Sequence, residues 1–344
     1  MITFGNSEEI LDTFNILNKQ VLDNLKYLDL VNKWKGEIVS DEMAEYLMGD
    51  INNIYPNTVA SLAVKPSEYY DNPFNKNIKL TKIKGDNVNL KIVTVGSRVI
   101  DHMGFGEPRF LLDGYTPVGY YTGDIRVPVL TDSKGEVWMS PTISEINSIQ
   151  KHIDKAHGKV CTVGLGLGYY VYMCLQKSEV EHITVYEKNK EIIHIFKDFI
   201  LPQFKKADRE RVTIINADLF EVYPNQLEQY DYVFIDTWKN NQDGLDNFYI
   251  PLMELGLPND NIGFWIEETL MLVPQLLLAL YMRDVYLGNS ISGFINGVGD
   301  LNREVAIKIN RYCKKLDKEF KSVQDIIEYI GSKQVIREIL AYKR

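Results

Sequence analysis

Four short runs carry residue types that suit a bound nucleoside. The first, Lys159 to Gly168, reads KVCTVGLGLG, with Gly164, Gly166 and Gly168 alternating after a β-branched apolar stretch. Glycine there reaches unusual backbone angles and lets a ligand approach the main chain. The free N–H groups opening the next helix can then face an anionic group. The second run, Val185-Tyr186-Glu187, sets a carboxylate nineteen residues beyond Gly168, where it can accept hydrogen bonds from both ribose hydroxyls. In the third, Asn216-Ala217-Asp218-Leu219, Asp218 can accept from the exocyclic amine of adenine while Leu219 packs on the ring. The fourth, Asp236-Thr237-Trp238, falls where the reactive end of such a ligand would lie. Singly, Glu187 and Asp218 read equally well as solvent-facing strand ends or helix N-caps. Four features in order, at the ends of four consecutive strands, are much harder to explain by chance.

Those residues need a sheet to position them. Short apolar runs at 160–163, 183–186, 212–216, 232–235 and 262–266 alternate with helical segments at 144–157, 169–177 and 190–199, the pattern of a parallel α/β sheet. In the last of these helices Ile192, Ile193, Phe196 and Phe199 are expected inward, with Pro202 ending it. Ahead of the sheet, residues 1–50 read as helical. Ile10, Leu11, Phe14, Leu17, Val21, Leu25 and Leu28 form an apolar stripe, Ser7 is a candidate N-cap, and a second helix follows Ser40. Residues 51–141 read as a small β-rich domain with runs at 90–95, 109–112, 117–121, 126–130 and 137–139 and a hairpin turn at 132–135. Asn72-Pro73-Phe74 is read as a loop. The sheet domain spans 142–290. A helical tail, 291–344, is mixed in charge, and its basic first half, including Lys308, reads as a solvated face.

Composition narrows the function classes. Hydrophobic residues make up 45% and charged residues 25% of the 344, the balance of a globular protein. A formal charge of -9 argues against a broad nucleic-acid face, which needs clustered Lys and Arg. Cys161, Cys174 and Cys313 show no CxxC spacing, so buried free thiols are expected and no metal site. The first residues lack the pattern of a signal peptide, and the apolar stretch near 270–280 is too short to cross a bilayer. A cytoplasmic protein is the default expectation, with a small-molecule substrate, no membrane partner, and a homodimer among the assemblies open to it.

A dinucleotide site would want its third glycine at position 169, which is Tyr169. An acidic residue after the third strand is also foreign to that fingerprint, and both departures point to S-adenosylmethionine. The segment 160–168, Val185-Tyr186-Glu187, Asn216-Ala217-Asp218 and the run 232–238 resemble motifs I to IV of the class I S-adenosylmethionine-dependent methyltransferases over roughly residues 140–268. The resemblance implies a Rossmann-like sheet with helices on both faces. It also implies a cofactor site made of Gly164, Leu165, Gly166, Gly168, Glu187, Lys188, Asp218, Leu219 and Asp236. Asp236, as base or orienting group, and Trp238, as an aromatic wall, are the candidate catalytic residues. Glu267, Glu268, Tyr120 and Tyr121 are further candidates for the acceptor pocket.

Within that superfamily the layout is most similar to spermidine synthase, with a small β domain and a Ser-Glu segment, Ser144-Glu145, ahead of the first strand. Those enzymes carry two carboxylates after the fourth strand; here the run is Asp236-Thr237-Trp238-Lys239. A lysine there should repel a polyamine. Methyl transfer is therefore the first expectation, aminopropyl transfer the second, and a non-catalytic module on the same sheet the third.

Overall fold

The computed structural model describes residues 2–5, 8–56, 59–103 and 117–343, without the side chains of Glu8, Val21 and Leu25. Ser7, the run 109–112 and two members of the N-terminal stripe therefore lie outside the described residues. The five runs of the expected sheet form strands β1 (Gly158–Val163), β2 (Val180–Glu187), β3 (Val212–Asn216), β4 (Tyr232–Ile235) and β5 (Ile262–Phe264). All pair in parallel, in the order β3-β2-β1-β4-β5. Val160, Cys161, Ile183, Val185 and Val233 have no exposed surface, as expected for strands covered on both faces. The order reverses at β1, and right-handed crossovers then put helices on both faces. The fold is mixed α/β and Rossmann-like. Val163 lies opposite Tyr186 and Ile235, and Glu187 opposite Asn216, so the turns after β1 to β4 leave the sheet at one edge.

Helix α1 (Ile143–Lys155) starts at Thr142 and buries Ile146, Ile149 and Ile153 as its periodicity predicts. Helix α2 (Tyr169–Leu175) follows the glycine turn. Helix α3 (Lys190–Ile195) is capped by Asn189 and passes into a π-turn at Phe196–Ile200. That turn takes an extra residue and rotates the inward face. Ile200 is buried instead of Phe199, which is 45% exposed, against expectation. In the N-terminal helix, Glu8–Trp34, Ile10, Phe14 and Leu17 face inward, whereas Leu11 and Leu28 are exposed. Ser40 caps the next helix, Asp41–Ile54, by accepting from the Met43 N–H.

The β-rich region forms an antiparallel sheet of Ile83–Lys84, Val88–Val95, Ile125–Asp132 and Val137–Met139. Its hairpin turn is held by Asp132 Oδ1, which accepts from the N–H groups of Lys134 (2.9 Å) and Glu136 (2.8 Å). Asn72 is a helix cap: it accepts from the Phe74 N–H and donates to the Tyr169 hydroxyl at 3.0 Å. All three cysteines are buried and unpaired. Among the described residues no helix is long and apolar enough to cross a membrane.

The tail differs most from its sequence reading. Lys318–Phe320 is a strand paired in parallel with Ile2–Phe4, and Phe4 stacks on Phe320 at 5.6 Å. Helices α4 (Glu267–Tyr286) and α5 (Lys333–Ala341) are joined by buried charge. Glu267 Oε1 accepts from the Tyr249 hydroxyl (2.6 Å) and from Arg337 Nε (3.0 Å) and Nη2 (2.6 Å). Glu268 pairs with Lys151 of α1 and with Lys333. These two carboxylates thus hold helices together and do not line an acceptor pocket. Lys308 is no part of a solvated face either. It is 3% exposed and donates to Glu254 (2.5 Å) and to the carbonyls of Leu340 (2.9 Å) and Tyr342 (3.0 Å).

Removing one partner of a buried ion pair strands the other charge, at a cost of about 3–5 kcal/mol. Arg337→Ala leaves Glu267 the Tyr249 hydroxyl and Lys333 at 3.6 Å, so it is expected to lose about 3 kcal/mol, the lower end of that range, in urea unfolding, while Glu267→Gln/Arg337→Met loses much less. Equal losses for the two variants would mean that Glu267 is not an uncompensated charge in the single variant.

Candidate functional site

A cavity of about 1030 Å3 opens at the carboxyl edge of the sheet, between the turns after β1 to β4 and the strand Val137–Met139. Of the residues expected to bind cofactor or act in catalysis, all line this cavity except Gly168. Gly168 (φ +76°) is required by packing, since a Cβ there would lie 2.2 Å from the Phe196 ring. Gly164 (φ +97°) has a similar reason: a Cβ would come within 1.9 Å of the Asp236 carbonyl oxygen, so the turn after β1 lies hard against the end of β4.

Glu187 ends β2 and is 8% exposed. Its Oε2 accepts from the Leu165 N–H at 3.0 Å and its Oε1 from the Asn189 N–H at 2.7 Å. Burial raises its pKa, opposed by those backbone donors. Each carboxylate oxygen has about two lone-pair sites, so both keep capacity for a ligand. Asp218, after β3, caps the short helix Leu219–Val222 by accepting from the Phe220 N–H at 3.0 Å. Its other oxygen pairs with Lys188 Nζ at 2.5 Å, which holds the carboxyl below its ordinary range. The Lys188 side chain is 78% exposed, and such a surface pair is weak enough for a ligand to displace. Leu219 is buried beside it.

Asp236 follows β4. Although it lines the cavity, burial of its carboxyl, and then the charge of Glu187, push its pKa up to about 7. Trp238 is 4% exposed, with Phe248, Phe264 and Trp265 at ring distances of 5.9, 6.4 and 6.5 Å. It is largely a core aromatic that contributes to the cavity wall. Lys239 turns towards the β-rich hairpin and pairs with Glu136 at 2.8 Å. Tyr120 and Tyr121 are buried in their own strand and do not line the cavity.

Glu145 is the residue that the sequence reading missed. It lines the same cavity, and burial followed by the charge of Asp236 raises its pKa well above the usual carboxylate range. Thr142-Ile143-Ser144-Glu145 has the residue types of a capping box, in which the glutamate folds back onto the helix start. Only half of that box forms. Thr142 accepts from the Glu145 N–H, but the Thr142 N–H goes to the Ser140 carbonyl at 2.7 Å, which leaves the glutamate side chain to the cavity.

The acids interact in series, Glu187 with Asp236 and Asp236 with Glu145. A carboxyl whose folded pKa is raised keeps its proton to higher pH in the native state, so stability falls as pH rises between the unfolded and folded values. For Asp236 that window runs from 3.8 to about 7. Asp236→Asn is therefore expected to match the wild type in Tm near pH 4 and to exceed it by pH 8. A Tm difference independent of pH across that window would overturn the assignment of a strained, ionisable carboxyl.

No family model and no curated protein matches the chain. Among solved structures it is similar to spermidine synthase from Thermotoga maritima, at 16% identity and a TM-score of 0.29, over 46% of this chain and 59% of that one. It is similar to the methyltransferase domain of bacterial CtHen1, at 19% identity and a TM-score of 0.24, over 32% and 56%. It is also similar to a putative O-methyltransferase from Klebsiella pneumoniae, at 10% identity and a TM-score of 0.26, over 49% and 66%. The chain covers less than two thirds of each of these structures.

Proposed function

We propose that the cavity binds S-adenosylmethionine across the carboxyl ends of β1 to β3 and that the protein transfers its methyl group to a small-molecule acceptor. The observation that carries this reading is that Glu187, Asp218, Asp236 and the Leu165–Gly166 turn face one cavity. Glu187 takes the ribose hydroxyls with the lone pairs that Leu165 and Asn189 leave unused. Asp218 takes the adenine amine once Lys188 swings aside, and Leu219 packs on the ring. The bound sulfonium supplies an electrophilic methyl carbon and a neutral thioether leaving group. The work of the chain is then to align two molecules and exclude water. Ligand cavities run to about 1,000 Å3, so this one, at about 1030 Å3, has room for an acceptor beside the nucleoside. Asp236 orients the acceptor or takes its proton, and Trp238 offers an aromatic wall to the sulfonium.

Aminopropyl transfer from decarboxylated S-adenosylmethionine is the second reading, and two observations favour it. Lys239, expected to repel a polyamine, is paired with Glu136 and solvent-exposed, which screens its charge. Asp236 and Glu145 also suit a ligand tail that carries an ammonium group and no carboxylate.

Calorimetry with S-adenosylmethionine, S-adenosylhomocysteine and the decarboxylated form separates these readings. The two carboxylated ligands are expected to bind, and Glu187→Ala to weaken both roughly 10- to 100-fold, the worth of a hydrogen bond to a charged group. Preference for the decarboxylated ligand would replace the first reading with the second. Absence of binding by all three would leave a non-catalytic module.

A further inference from the structure

We infer that the acceptor is a flat aromatic molecule, held between Trp138 and a row of rings on the facing wall of the cavity. The inference rests on the S-adenosylmethionine reading above and names the class of its second substrate. The chain has four tryptophans, and three of them, Trp138, Trp238 and Trp265, line this one cavity. The fourth, Trp34, packs among the N-terminal helices. The row runs from the mouth inward. Phe220, two residues past Asp218, is 39% exposed and stacks on Phe248 at 6.0 Å with an interplanar angle of 16°. Phe248 meets Trp238 at 5.9 Å, and Trp238 meets Trp265 at 6.5 Å. All four line the cavity.

The inner end of the row is fixed. The Trp265 indole N–H donates to Ser148 Oγ at 2.8 Å, and that hydroxyl donates to the Glu145 carbonyl at 2.7 Å. On the facing side Trp138 arrives on the strand Val137–Met139. Met139 lies so close to the glycine turn that a Cβ at Gly166 would be 3.3 Å from its Cγ, so this strand covers the turn. The outer end of the row lies beside Asp218 and Leu219, which take the adenine, and Trp238 stands two residues past Asp236. Rings therefore continue beyond the base, along the part of the cavity left for the acceptor. Aromatic pairs are worth more than the area they bury, and rings with two side-chain torsions lose little freedom when a ligand docks. An aliphatic acceptor would be served as well by Leu or Ile, and a polyhydroxylated one would need hydrogen-bonding groups along the wall. Trp138 is thus a residue that sets the shape of the acceptor.

The test uses the full chain saturated with S-adenosylhomocysteine. Calorimetry compares 2-naphthol with decahydro-2-naphthol, which keeps the skeleton and the hydroxyl but has a puckered, more apolar ring system. Burial of apolar area alone would favour the saturated alcohol or neither. Stacking reverses that order, and 2-naphthol is expected to bind about tenfold more tightly. Trp138→Leu should cut this preference roughly two- to tenfold, the worth of one aromatic contact, and leave the affinity for S-adenosylhomocysteine within about twofold; Trp138→Phe should keep most of it. Thermal unfolding checks that both variants fold, and should Trp138→Leu fail to, the wild-type comparison decides alone. Equal affinity of the wild type for the two alcohols would overturn the inference, as would an unchanged preference in folded Trp138→Leu. So would 2-naphthol that binds only the free protein and is displaced by S-adenosylhomocysteine, since the rings would then belong to the nucleoside's own site. Failure of S-adenosylhomocysteine to bind the wild type would instead sink the proposed function. The two alcohols on the free chain, with and without Trp138→Leu, would still decide whether the rings form an aromatic slot.

Discussion

One buried carboxylate, Glu187, ties the turn after β1 to the turn after β2. An anion taken out of water needs donors, and here the backbone N–H groups of Leu165 and Asn189 supply them. The arrangement works in both directions. The donors keep the glutamate tolerable at the end of a buried strand, and the glutamate fixes where the glycine turn runs. That turn is pressed against the Asp236 carbonyl at Gly164, so the ends of β1 and β4 are set side by side. The charge of Glu187 bears on Asp236, and that of Asp236 on Glu145. The acidity of the cavity is therefore a consequence of how the first turn is held.

The remaining ties decide what covers the cavity. Glu191, in the first turn of α3, accepts from the N–H groups of Asn87 (3.0 Å) and Val88 (3.1 Å) and from the Asn87 side chain (2.6 Å). These bonds dock the β-rich sheet on the Rossmann-like one. The strand Val137–Met139 then supplies Trp138 and Met139 to the cavity wall. The Lys239–Glu136 pair is a second, exposed link between the same two parts. On the side of the C-terminal helices, Glu267 with Arg337 and Glu268 with Lys151 and Lys333 connect α4, α5 and α1. Carboxylates that look alike in the sequence therefore do different work. Glu267 and Glu268, with their cationic partners, hold helices together, whereas Glu187, Asp236 and Glu145 line the cavity.

Local pattern determined the sheet. The strands could be read to within a few residues because parallel strands, buried on both faces, keep only apolar and β-branched residues, and the turns between them must carry glycine or polar caps. That Glu187, Asp218 and Asp236 each follow a strand was equally legible, because strand ends are local. Chain order and charge also marked the β-rich region and the basic stretch of the tail. These features depend on neighbours a few residues apart, which a sequence displays directly.

What only the tertiary structure decided depends on partners far along the chain. The strand Lys318–Phe320 exists because Ile2–Phe4 lies beside it, and nothing in a three-residue run shows a partner three hundred residues away. Lys308 is buried because Glu254 and two carbonyls near the C-terminus meet it. Phe199 turns outward because a π-turn shifts the helical phase, and Gly168 serves the Phe196 ring rather than the cavity. Glu145 lines the cavity, and the Thr142 N–H bonds to the Ser140 carbonyl instead of to its side chain. The sequence by itself determined the order of strands and helices and the residue types at the strand ends. Packing and long-range hydrogen bonding decided which charges meet a partner and which are left facing the cavity, because a side chain's role there is set by what lies across from it in space.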